Sequence, residues 1–397
     1  MTAMPNAAQP SLVASPRRAP ARIVLETQPP RFQGMVAEWK RLHAEPYVGI
    51  TTDGQPDTNL FPICATGLSC APVVAAAEAF LATLDAEQRA SARFGIDDRA
   101  WRGWSNIHRN VMRHGVCLDV LSAEQRRLAL DIVRACVGER TFDEVVATMR
   151  LNEHLSELTG KPGEYGEWFY YVSIFGEPSQ DRPWGWQLDG HHVNINCFLL
   201  DGQAVLTPML LGAEPVCALS GKYQGTMILR REEAAGLDFM QALRPDQRAT
   251  ATLGLELPFD GLGSGFKDNL QVPYQGIAFG ALDSAQQGKL RDLVRLYVDR
   301  QAPAHAAHTW ADVEFHMDYT NFAWLGPFDD ISPFYYRVHS PVIYIEFFHQ
   351  PGIALPNNGF TRQHAHALVR TPNGNDYGRA LLGAHRRQCG EVPGDLF

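Results

Sequence analysis

Fourteen histidines are spread unevenly along this 397-residue chain, and two groups of them have a spacing that suits chemistry. His364 and His366 form an H-x-H pair in RQHAHALVR. On an extended strand alternate side chains share a face, so both imidazoles would project together and offer two neutral nitrogens to a divalent ion. His191 and His192 are adjacent in LDGHHVNIN. Neighbouring strand residues point to opposite faces, so only one of these two is expected as a ligand unless the chain bends at Gly190. Glu346 lies inside the apolar run VIYIEFF, where a carboxylate is costly to bury without a cation, an arginine or a metal beside it. The candidate metal ligands are thus His191, His192, Glu346, His364 and His366.

Two chemistries suit such a set: a water activated by zinc, or iron(II) held by two histidines and one carboxylate. The residues do not choose between Zn and Fe(II). For hydrolysis of a small organic substrate, Asp189 or Glu214 could act as general base, and Arg337 or Arg370 could orient an anionic group. Arg370 and Asp376 flank the Asn-Gly turn of TPNGNDYG, whose first reading is structural, and could also orient a ligand or a histidine from behind. The alternatives are a non-heme iron oxygenase on the same residues, or a non-catalytic binding protein whose histidines close hydrogen bonds in the core. Arg337 or Arg370 pairing with Glu346 competes with metal ligation. No G-x-S-x-G elbow or H-E-x-x-H helix is present, and GSGF at 263–266 lacks the strand–helix setting of a phosphate loop.

The elements that must position these residues alternate in blocks. Pro72 to Ala92 has helical spacing of apolar residues. A second helix starts after Ser122, with Gln125 at the capping-box position, and a third spans Thr141 to Leu158, with Thr141 and Glu144 in the same register. Strand-like runs follow in EWFYYVSIFGEP, WGWQLDGHHVNINCFLL, AVLTPMLLG and GTMILR. Helical pattern returns at Arg231 and continues with interruptions to about Arg300, and strands reappear in EFHMDYTNFAWLG and PVIYIEFFHQ.

That order signals a repeat. LDAEQRASA from Leu84 recurs as LRPDQRATA from Leu243, an offset of 159, and LSAEQRRLALDIV from Leu121 recurs as LDSAQQGKLRDLV from Leu282, an offset of 161. Pairing Gln187 with Arg337 sets the aromatic strands at an offset of 150; Asn196 then matches Glu346, and Pro341 and Val342 replace His191 and His192. The expected architecture is α+β: two diverged copies of a helices-then-antiparallel-strands unit, at 49–230 and 231–397, packed as one pseudo-symmetric body behind an N-terminal arm at 1–48. Divergence at the histidines suits one composite site better than two equivalent ones.

Composition narrows the class. A net charge of −9 with no basic block argues against binding a nucleic-acid backbone. Seven scattered cysteines, an odd number, read as reduced thiols of a cytoplasmic protein. No apolar run reaches the length of a membrane span, and the first thirty residues hold none of signal-peptide length. A homodimer through the arm is left open.

The segments PWGWQLDGHHVNIN, LLGAEPV, FAWLG followed by YYRV, IEFF and HAHALVRTPNGNDYG resemble the family known as domain of unknown function 3500, as does the helical part FLATLDAEQRASARFGIDD, WSNIH and LSAEQRRLAL. The resemblance covers roughly residues 70 to 385. It implies that His191, His192, Glu346, His364, His366, Arg370 and Asp376 lie in recurring polar segments, and it carries no reaction. FFHQ after Glu346 departs from the family pattern.

Overall fold

The computed structural model describes residues 25–107 and 112–391. The first half runs α1 (Pro30–Ala44), α2 (Ala71–Ala82), α3 (Ala86–Ala92), β1 (Arg93–Phe94), β2 (Val116–Cys117), α4 (Ala123–Cys136) and α5 (Glu139–Thr159). It continues with β3 (Tyr170–Phe175), β4 (Trp184–Gly190), β5 (Val193–Leu200), β6 (Gln203–Val205) and β7 (Met209–Ala213). The second half runs α6 (Arg230–Ala242), α7 (Pro245–Ala251), β8 (Thr252–Gly254), β9 (Ile277–Ala278), α8 (Ser284–Val298) and α9 (Pro303–Phe315). Its strands are β10 (Asn321–Leu325), β11 (Tyr335–His339), β12 (Tyr344–Pro351) and β13 (Phe360–Arg370), before α10 (Arg379–Gln388).

All thirteen strands of the described residues join one sheet in the order β1-β3-β4-β5-β7-β13-β12-β11-β10-β8, with β2 on β3, β6 on β5 and β9 on β10. Each half is mixed in the same way: a parallel strand at the edge (β1 on β3, β8 on β10) and antiparallel neighbours inward. The register sets Gln187 opposite Asn196 and Arg337 opposite Glu346. The halves meet where β7 pairs with β13.

Local chemistry starts the helices. Ser122 and Gln125 form a reciprocal capping box at α4, and Asp283 and Gln286 do so at α8. The same glutamines also work between helices: Gln125 Nε2 donates to Gln88 Oε1 (3.1 Å) and Thr83 O (2.9 Å), while Gln286 Nε2 donates to Gln247 Oε1 (2.8 Å) and Ala242 O (3.0 Å). Other expectations need correcting. The stretch from Pro72 to Ala92 is two helices, because Asp85 caps a new one with a box to Gln88. Thr141 is not a cap; α5 begins at Glu139 with Gly138 as its N-cap, and Thr141 is buried inside the first turns. GTMILR forms no strand beyond one bridge between Cys217 and Met227.

The two faces of the sheet differ in chemistry. On one, Trp184, Trp186, Leu188, Ile195, Tyr336, Ile345 and Ala367 pack into a single core with Phe80, Val133, Met149, Phe239 and Leu290 from the helices. Each fully buried side chain of this kind contributes about 1.5–3 kcal/mol. Alternation sends Gln187, Asp189, Asn194, Asn196, Arg337, Glu346, His364, His366 and Arg370 to the other face, where all are buried. Segments 101–106 and 261–268 cover much of this polar layer and bond to it: Trp101 O accepts from Gln187 Nε2, and Gly263 donates to Glu346.

Of the proposed arm, residues 1–24 lie outside the described residues, and 30–44 form α1. The carbonyls of Leu42 and Glu45 at its end accept from the Arg102 guanidinium at 3.2 and 2.6 Å. Among the described residues no helix is long and apolar enough to cross a membrane.

Candidate metal centre

His364 and His366 sit on β13 on the same face, as the strand period requires, with ring centroids 4.9 Å apart. The ladder to β12 is regular through Phe348–His366 and His349–Ala365, then shifts so that Gln350 pairs with Thr361. This bulge places extra β13 residues just before the pair and turns His364 so that Nδ1 lies 2.8 Å from Pro351 O. A carbonyl only accepts, so Nδ1 carries the proton and Nε2 is bare.

The third imidazole comes from the β4–β5 turn. His192 adopts a left-handed φ of 67°, a region few non-glycine residues enter. Its N–H donates to Asn106 O (3.2 Å), and its carbonyl accepts from Gly212 N (2.9 Å). The turn brings His192 Nε2 to 3.3 Å from His364 Nε2, with ring centroids 5.3 Å from His364 and 4.9 Å from His366. One nitrogen from each of His192, His364 and His366 lies within 4.8 Å of the others. His191 is excluded from this group: Nδ1 bonds to Asn152 Oδ1 at 2.8 Å, and the ring stacks on His192 at 3.8 Å.

His366 is 0% exposed, and among the described residues neither of its ring nitrogens has a hydrogen-bond partner. It lies between the Phe348 ring, stacked at 4.9 Å, and the β7 backbone at Gly212. A Cβ at Gly212 would stand 2.3 Å from His366 Cδ2 and 2.9 Å from Nε2, so only glycine leaves room for this ring. Burial, then the neighbouring His364, His191 and His349, holds the His366 pKa well below the ordinary histidine value. Burial likewise lowers that of His364, against the pull of Glu214. Neutral imidazoles are the form that ligates metal.

The remaining candidates lie elsewhere or are already engaged. Glu346 shares the face of His366 but sits two residues further along the ladder, about 7 Å away. Its carboxylate accepts from the amides of Leu262 (2.9 Å) and Gly263 (2.8 Å) and from Tyr335 Oη (2.7 Å). The charge that seemed to need a cation is thus met by neutral donors from the glycine-rich loop. Arg337 faces Glu346 in the ladder while its Nη2 donates to Gln275 Oε1 at 2.7 Å. Arg370 donates to Asp376 (2.7 Å), Asp268 (2.6 Å) and Gly263 O (2.6 Å), which commits Arg370 and Asp376 to the core. Burial would raise the Asp268 pKa, but Arg370 and Arg102 outweigh it and hold the group below its ordinary value. Asp189 accepts from Ser105 N (2.9 Å) and Asn194 Nδ2 (2.6 Å), fixing the segment whose Asn106 carbonyl holds His192. Glu214 accepts three backbone N–H bonds behind His364.

Three residues at the site lacked a sequence signal that pointed to it. Gly212 and Phe348 look like ordinary strand residues until β7 and β12 flank His366. Asp260, whose charge is felt at His364, accepts from Ser264 Oγ (2.8 Å) and Gln350 Nε2 (3.2 Å) in a loop whose glycines were the available clue.

No curated protein and no solved structure matches the chain. The profile of the family described as "Protein of unknown function (DUF3500)" matches residues 66–379, both halves of the sheet and all three clustered histidines included. The chain is a member of the DUF3500 family.

Proposed function

We propose that His192, His364 and His366 hold one divalent metal ion, zinc by preference, and that the protein is a metal-dependent hydrolase acting on a small organic molecule. The observation that carries this is His366: a fully buried imidazole with neither nitrogen satisfied among the described residues, in one cluster with the bare Nε2 of His364. Leaving a buried polar atom without a partner costs roughly 1–3 kcal/mol, and a shared ion would take up the bare nitrogen of the two. The 3.3 Å between His192 Nε2 and His364 Nε2 also suits the ion, because Zn–N bonds of about 2.0–2.1 Å in a tetrahedron set ligand nitrogens about 3.3–3.4 Å apart. His192, His364 and His366 would hold the ion, and its chemistry there would be to activate a water for attack on an electrophile. Two histidines and a carboxylate would favour iron and oxygen chemistry; Glu346 and Glu214 are both tied to backbone amides, which argues for the zinc reading.

The site is composite. We propose that the chain is a duplicated unit: the strand order reads the same from either edge, the Gln88–Gln125 and Gln247–Gln286 pairs recur, and Gln187–Asn196 matches Arg337–Glu346 in register. His192 then comes from one copy and His364 and His366 from the other, meeting at the β7–β13 seam. Seven free thiols are compatible with a reducing, cytoplasmic setting.

Elemental analysis of untagged protein, beside the His364→Ala/His366→Ala double variant, tests the ion. About one zinc per chain, lost in the double variant, is the expected result. Absence of bound metal after reconstitution with Zn²⁺ and with Fe²⁺ would sink the reading, and one tightly held iron with oxygen uptake would replace hydrolysis by oxidation.

A further inference from the structure

Glu214 directly follows β7, and its side chain is buried. Oε1 accepts from the amides of Ile353 (2.8 Å) and Leu355 (3.1 Å), and Oε2 from Ala354 (2.9 Å). Three amides of one turn take up acceptor sites on both of its oxygens. The turn starts beside Pro351, whose carbonyl takes the Nδ1 proton of His364. Glu214 Oε2 is itself 3.7 Å from that Nδ1, too long for a hydrogen bond but close enough for its charge to favour a proton there.

We infer that Glu214 is a positioning residue: by clamping the 353–355 turn from the other half of the sheet, it holds the Pro351 carbonyl under His364 and fixes the tautomer that presents Nε2 to the ion. The inference rests on the metal reading above for its consequence, though not for its geometry. Outer partners of this kind set ligand orientation and basicity, and losing one typically costs about 10–100-fold in metal affinity.

The experiment has two parts. The ¹⁵N shifts of the metal-free wild-type protein report which nitrogen of His364 carries the proton. Zn²⁺ competition with a chromophoric chelator then compares wild type, Glu214→Ala and Glu214→Gln. Expected are an Nδ1–H tautomer at His364, zinc affinity about 10–100-fold weaker in Glu214→Ala, and a smaller loss in Glu214→Gln, which keeps an acceptor oxygen. An Nε2–H tautomer in the wild type, or wild-type zinc affinity in both variants, overturns the inference. If Glu214→Ala does not fold, the glutamine variant and the tautomer decide. Failure of the wild type to bind zinc would count against the metal and leave the tautomer result to judge Glu214.

Discussion

Gly212→Ala alters no candidate ligand, yet it is expected to abolish the metal site. The added Cβ would lie 2.3 Å from His366 Cδ2 and 2.9 Å from Ala365 O. Ordinary contact begins at 3.4 Å, so the ring must retreat by about 1.1 Å. Phe348 is stacked against the ring and blocks that path. Overpacking of this kind costs about 1–3 kcal/mol. A shift near 1 Å also exceeds the roughly ±0.2 Å that a coordination bond tolerates. The assay is urea unfolding of the metal-free protein together with zinc stoichiometry after dialysis. A destabilised but folded variant holding no zinc is the expected result. Gly288→Ala in α8 is the control, since nothing lies within 4 Å of its Cβ position; it should raise stability by about 0.5–1 kcal/mol and leave zinc untouched. A Gly212→Ala protein with wild-type stability and one zinc per chain would refute the packing argument at its root.

Other perturbations test the surrounding layer. Burial, then Arg337, pushes the His339 pKa down to about 3. The unfolded chain takes up that proton near pH 6.5, so the stabilisation is complete above pH 6.5 and falls by about 1.4 kcal/mol per unit as pH drops toward 3. His339→Leu should therefore shrink the stability difference between pH 7.5 and 5.0 by about 2 kcal/mol in urea titrations, and an unchanged difference would count against it. Arg370→Met strands Asp376 in the core and leaves Asp268 to Arg102 alone, and should cost about 3–5 kcal/mol; a loss below 1 kcal/mol would show that this network is not what holds the 261–268 loop. Asp189→Ala removes the acceptor for Ser105 N, with an expected cost of about 1–3 kcal/mol and weaker zinc binding through His192. Asp189→Asn, which keeps an acceptor oxygen, should do less, and equal zinc affinity in all three proteins would end that account.

Local and periodic features of this protein were legible in its sequence. The capping box at Ser122 and the shared face of His364 and His366 follow from spacings of two to three residues. What depends on which backbone lies beside which could not be read that way. His192 was separated from His191 by a left-handed turn that Asn106 and Gly212 hold. Glu346 stands apart from the three clustered histidines, and two amides about eighty residues earlier in the chain bond to it. Gly212, Phe348 and Glu214 acquire their roles only when β7, β13 and β12 lie side by side. Side-chain period is a property of a single strand, whereas the partner of a buried polar group is set by the whole sheet; the sequence determined which residues could do chemistry, and the tertiary structure decided which of them meet.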